Sequence, residues 1–146
     1  MFENCLGCKI AKKIIECPGG IIFETNNFIL NQDYEIPIES FFIISSKKHI
    51  QSVVDLSKEE LKELILLIYQ VRKAMKELFD IKKTSIFQDE NASHFHVWIF
   101  PELEWMSKIG KGIEFIPLII EYSKKHPAKN EEIIKKVNMM KEKLKR

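Results

Sequence analysis

His94-Phe95-His96-Val97-Trp98-Ile99-Phe100-Pro101 is the densest chemical signal in the chain. β-Branched and aromatic residues dominate it, and Pro101 closes it, so it reads as a β-strand. Period-2 spacing puts His94, His96 and Trp98 on one face, ~6.6 Å apart in succession, and Phe95, Val97 and Ile99 on the other. One face is apolar enough to enter a core. The other presents two imidazoles and an indole.

Working outward, residues 84–88 form a companion strand, separated from the first by the polar loop 89–93. Residues 58–79 carry the clearest helical pattern: Ser57-Lys58-Glu59-Glu60 is a capping box, and Leu61, Leu64, Ile65, Ile68, Val71, Met75 and Leu78 recur on one face. Residues 41–46 are a short apolar run that predicts a central strand leaving the sheet at Lys47-Lys48-His49. Residues 21–25 and 28–32 predict two further strands around an Asn26-Asn27 turn. A short helix over 8–15 precedes them and stops at Pro18-Gly19-Gly20. Two helices, over 113–125 and 131–145, end the chain, the last opened by Asn130 and by Glu131-Glu132 at its positive end. This order predicts an α+β domain: a five-stranded antiparallel sheet with a long helix packed on it, helices on one face, and C-terminal helices.

At 146 residues and 45% apolar side chains, the chain suits one domain spanning 1–146, with a core over about 4–101 and a helical extension over about 112–146. No stretch approaches the ~20 apolar residues of a membrane span. Met1-Phe2-Glu3-Asn4 lacks a basic region followed by an apolar run, so a soluble, cytoplasmic chain is expected. The odd count of cysteines, Cys5, Cys8 and Cys17, argues against a disulfide framework and for thiol or metal chemistry. The net charge of +2 is uneven: nine Lys/Arg stand against three Glu from Lys124 onward, leaving the body mildly acidic. A solvated helix face accounts for the basic tail, so nucleic acid is not an expected partner.

Cys5 and Cys8 form a C-x2-C, the spacing at which two thiolates meet one zinc ion. His49 and one of the histidines of the 94–98 strand would complete a Cys2His2 tetrahedron. A closed four-ligand zinc is structural, tying the N-terminal helix to the sheet.

The order C-x2-C, an apolar strand ending Lys-Lys-His, a long helix and then His-x-His-x-Trp-x-x-Pro resembles the histidine triad superfamily over residues 4–101. That superfamily's signature is three histidines alternating with apolar residues. The resemblance implies nucleotide binding, and hydrolysis or nucleotidyl transfer at the α-phosphate of a mono- or dinucleoside polyphosphate. The middle histidine, His96, is then the nucleophile that forms a nucleotidyl-histidine. By similarity to galactose phosphate uridylyltransferases and some triad hydrolases, it implies structural zinc on Cys5, Cys8, His49 and His94. It makes Asp33 the acceptor for the ribose hydroxyls, although unaided Asp33 reads as a turn aspartate. Gln88, Asn91 and Ser93 fall where relatives offer donors to phosphate, and all three are also ordinary loop residues. Phe23, Phe28 and Leu30 read either as walls of a base pocket or as core. A homodimer is implied as well.

Two histidines of the pattern are absent: Trp98 holds the third position, and Ser40-Phe41 stands where Gly-His is common. An indole N–H donates but never titrates, so charge stabilisation by Trp98 is compatible with the pattern and acid catalysis is not. Trp98 reads either as a substrate contact or as an aromatic cap on the sheet. The expected activity therefore favours phosphoanhydrides, whose leaving groups need no proton, over phosphoramidates. The alternative is a catalytically weak or inactive zinc-containing nucleotide-binding module.

Overall fold

The computed structural model describes residues 4–145; Met1, Phe2, Glu3 and Arg146, with the reading of the first residues, lie outside the described residues. In chain order the elements are α1 (Leu6–Ala11), β1 (Phe23–Glu24), β2 (Phe28–Gln32), β3 (Phe42–Ser46), α2 (Lys58–Phe79), β4 (Thr84–Phe87), β5 (His96–Pro101), α3 (Ile116–Lys125) and α4 (Asn130–Leu144). The strands form one antiparallel sheet in the order β1-β2-β3-β5-β4. An antiparallel pair needs only a tight turn, so β1–β2 is a hairpin, and Glu63 of α2 pins its tip by accepting from the Asn27 backbone and amide at 2.8 Å each. β3 instead meets β5 across 49 intervening residues, after α2 and β4 have been laid down.

Period-2 alternation sorts the sheet's side chains. Phe28 and Leu30, Phe42 and Ile44, Val97 and Ile99 share one face and pack on Leu64, Leu67, Val71 and Met75 of α2 and on Val137 and Met140 of α4. Each such burial contributes ~1.5–3 kcal/mol, and this layer is the main core. The cap of α2 is formed as the sequence requires: the Glu60 amide donates to Ser57 Oγ at 3.1 Å, and the Ser57 amide donates to Glu60 Oε1 at 2.9 Å.

The other face is not bare. Phe41, Ile43 and Phe100 are buried beneath Met106 and beneath Ile116 and Ile119 of α3. Helices therefore cover both faces, where the sequence pattern suggested one. The two C-terminal helices divide, α3 to one side and α4 to the other. α4 is integral to the main core: Val137 and Met140 are wholly buried, Lys143 pairs with Glu77 at 2.7 Å, and Lys141 donates to the Gly19 carbonyl. Two lysines of the basic tail are thus spent on contacts with the rest of the domain. Asn130 is the first residue of α4 rather than its cap; Lys129 holds the cap position with no side-chain bond.

No helix of the described residues is long and apolar enough to cross a membrane.

Candidate metal centre and pocket

α1 starts at Leu6 because Cys5 caps it: the Cys8 amide donates to Cys5 Sγ at 3.4 Å. The same geometry turns both sulfurs toward the start of β5 and the exit from β3. Cys5 Sγ lies 3.3 Å from His94 Nδ1. Cys8 Sγ lies 3.1 Å from His49 Nδ1 and 3.5 Å from His94 Nδ1. One ligand atom from each of Cys5, Cys8, His49 and His94 falls within 4.8 Å of all the others.

Zn–S bonds of ~2.3 Å and Zn–N bonds of ~2.0–2.1 Å make tetrahedral edges of roughly 3.3–3.8 Å, so the donor set fits a four-coordinate ion. The tautomer fits too. His94 Nε2 donates to the Ser46 carbonyl at 2.7 Å, which leaves the Nδ1 lone pair facing the sulfurs. Burial holds the His94 imidazole below its ordinary pKa and therefore neutral. Burial, and then the neighbouring Cys5, raise the Cys8 thiol. Two thiolates sharing one point are stable only with a cation between them.

Two residues on, the chain does something different. His96 opens β5 opposite Ser45, and its Nδ1 donates to the His94 carbonyl at 2.9 Å. That bond fixes the ring and leaves Nε2 with a lone pair. His96 is half-buried and lines a cavity of about 340 Å³ together with Asn31, Asp33, Tyr34, Ile43, Ser45, Ser93, His94 and the α1 residues Leu6, Gly7 and Ile10. The volume lies at the small end of the range for ligand pockets, ~300–1,000 Å³.

Asp33 is both a turn former and a pocket residue: its Oδ2 accepts from the backbone of Glu35 at 3.0 Å and Ile36 at 2.7 Å. Burial nevertheless raises its pKa above the ordinary value, the two backbone donors opposing.

Of the loop donors, Ser93 lines the cavity. Gln88 Nε2 donates to the Gln51 carbonyl at 3.2 Å, and Asn91 donates to Asp89 Oδ1 from its backbone at 2.9 Å and its amide at 2.8 Å, so both hold the loop in shape. Trp98 sits outside the cavity lining. Its ring lies 4.9 Å from Phe41, edge-on at 71°, and 4.9 Å from Phe87. The residues at the two missing histidine positions therefore touch each other.

Phe28 and Leu30 are core on the opposite face, and Phe23 packs against that core, so none of the three walls this cavity. The even parity of β2 faces α2 while Asn31 and Asp33 face the cavity. Sequence reasoning missed Asn31, Ser45 and the α1 residues. A polar Asn within an apolar strand was the available signal for the first.

No family model matches the sequence, and no curated protein matches it. Solved structures do. A HIT-like protein from Bartonella henselae described as involved in cell-cycle regulation superposes with a TM-score of 0.68 at 18% identity, covering 97% of both chains. A Zn-bound histidine triad family protein from Mycobacterium smegmatis gives 0.69 at 13% identity, over 97% of this chain and 94% of that one. A hypothetical histidine triad nucleotide-binding protein from Sulfolobus tokodaii gives 0.69 at 18% identity, over 97% and 92%. The chain has the fold of the histidine triad proteins.

Proposed function

We propose that the protein is a histidine triad nucleotide hydrolase or nucleotidyltransferase that works through His96. One observation carries this reading: an imidazole oriented by its Nδ1 bond to the His94 carbonyl, standing in a cavity with Asp33 and Ser93 and outside the Cys-His cluster. Its Nε2 lone pair attacks the α-phosphorus of a mono- or dinucleoside polyphosphate. The bond from phosphorus to the bridging oxygen breaks, the leaving phosphate keeps that electron pair, and a nucleotidyl-histidine forms. Water or another hydroxyl acceptor then attacks the same phosphorus, the P–Nε2 bond breaks with its pair returning to the nitrogen, and the acceptor's proton passes to solvent. Asp33 accepts from the ribose hydroxyls and Ser93 donates to phosphate. Trp98 braces Phe41 and Phe87 outside the cavity, with Gln88 and Asn91 shaping the loop.

Zinc on Cys5, Cys8, His49 and His94 is structural in this reading, since four protein donors leave no open position. Three free cysteines suit a reducing, cytoplasmic setting. We read the exposed Ile65, Leu66 and Tyr69 of α2 and the exposed Ile86 on the edge strand β4 as favouring a homodimer.

Incubation with an α-labelled dinucleoside polyphosphate and a base quench tests the nucleophile: label should stay with the protein and vanish in His96→Ala. One observation favours the second reading, a binding module with weak or no turnover. Phe41 and Trp98 have joined an aromatic cluster where the pattern places titrating rings. Nucleotide binding without trapped label decides for that reading.

A further inference from the structure

The pocket and the Cys-His cluster share one wall. α1 spans six residues, fewer than two turns, a length at which a helix does not hold itself. Its far end is anchored by a small apolar cluster of Ile10, Cys17 and Ile29. Its near end is anchored by Cys5 and Cys8, whose partners His49 and His94 lie just past the end of β3 and just before the start of β5. Between these anchors the helix lies flat on the His94 ring: a Cβ added at Gly7 would stand 2.3 Å from His94 Cγ and 2.5 Å from Cδ2. Leu6, Gly7 and Ile10 then face the cavity that holds His96.

We infer that metal binding at the Cys-His cluster sets nucleotide affinity, because the ion clamps α1 in place as one side of the nucleotide pocket while standing outside the reaction itself. The inference rests on the nucleotide reading above. Without the ion, two thiols and two imidazoles supply only weak contacts, α1 is released at its near end, and the cavity loses the wall facing β2 and β3. Linkage makes the effect reciprocal: whatever factor the ion adds to nucleotide affinity, the nucleotide adds to affinity for the ion.

The test is calorimetric. The four common 5′-nucleoside monophosphates are titrated into zinc-loaded protein, and the tightest is titrated again after chelation and removal of zinc. Affinity should fall by at least about tenfold. A chelator competition with and without that nucleotide should return the same factor for zinc. Hydrogen exchange locates the change: the Lys9 and Lys12 amides, which bond within α1 to Cys5 and Cys8, should lose protection on chelation while β2 and β3 keep theirs. An affinity change under twofold overturns the coupling. So does loss of protection across the whole sheet, which would make the ion a requirement for folding rather than a clamp on α1. If none of the four nucleotides binds the zinc-loaded protein, the nucleotide reading fails first, before any metal is removed, and the coupling falls with it.

Discussion

Restoring the missing imidazole with Trp98→His should damage the protein rather than repair it. The indole lies 4.9 Å from Phe41 and from Phe87 and 6.4 Å from Phe100, centroid to centroid. An imidazole keeps a ring but gives up much of that contact. Trp→Ala in a core costs ~3–5 kcal/mol; with Trp98 half-buried and a smaller ring retained, about half of that applies. Two aromatic pairs at ~0.5–1.5 kcal/mol each are weakened as well, and ring nitrogens placed among phenylalanines find no partner. The expected loss is about 2–4 kcal/mol, or roughly 6–15 °C in melting temperature at this chain length. Thermal and denaturant unfolding followed by circular dichroism measure it. Turnover of a phosphoramidate beside a dinucleoside polyphosphate measures the functional side, where the polyphosphate should remain the better substrate. Because Phe41 holds the other vacated position and touches Trp98, the double variant Phe41→His, Trp98→His should be non-additive by ~0.5–1.5 kcal/mol. A stability loss below about 1 kcal/mol, together with a tenfold or greater gain on the phosphoramidate, would refute the reasoning and return Trp98 to the substrate.

Two further outcomes follow from carboxylates. Burial pushes the Glu63 carboxyl up, but the bonds donated by Thr25 and Asn27 outweigh it and hold its pKa below the ordinary glutamate value; Glu63→Gln should therefore cost ~1–3 kcal/mol at neutral pH. A depressed folded-state pKa gives stability that is present above the unfolded value and lost as pH falls through the folded one, so the gap between wild type and variant should close on acidification below the ordinary glutamate range. Asp33 has the opposite sign. Its raised folded-state pKa means that the ionised group opposes folding once pH has risen through that value, and an amide oxygen still accepts from Glu35 and Ile36. Asp33→Asn should then be more stable than wild type at neutral pH, with less difference in acid, while binding nucleotide more weakly; a variant that is less stable at neutral pH counts against this account.

The elements legible in the sequence are those whose periodicity also serves packing. The 58–79 pattern is α2 to the residue, because its apolar stripe and its capping box specify the same boundaries. The strands at 28–32 and 42–46 are legible for a similar reason, as continuous runs buried on both sides. α1 is the counterexample. Ile10, Ile14 and Ile15 suggest a helix over 8–15, yet it spans Leu6–Ala11, since Cys5 caps it early and Lys13 takes a positive φ of 62°. Ile14 is consequently 69% exposed. α3 begins at Ile116 rather than 113, with Pro117 in its first turn, where a missing N–H costs nothing. The division of helices between the two faces was not legible, because an apolar stripe says that a helix is covered and not by which side of a sheet.

The site follows from where β5 begins. His94 and His96 share one face by strand parity, yet His94 precedes the strand and its ring is drawn to the Cys-His cluster, whereas His96 is held by pairing with Ser45. The contacts that separate them sit at the junction: the Phe95 amide donates to the Ile50 carbonyl at 2.7 Å, and His94 Nε2 donates to Ser46. Both bonds tie the entry of β5 to the exit of β3, the same two points from which His49 and His94 reach toward the cysteines. A slip of one residue in this pairing would turn Phe95 and Val97 toward the cavity and His96 into the core. The two junction bonds, which join the ends of both strands, oppose the slip. His94, one of the groups that would hold the ion, thus also helps to set the register of the strand that carries His96.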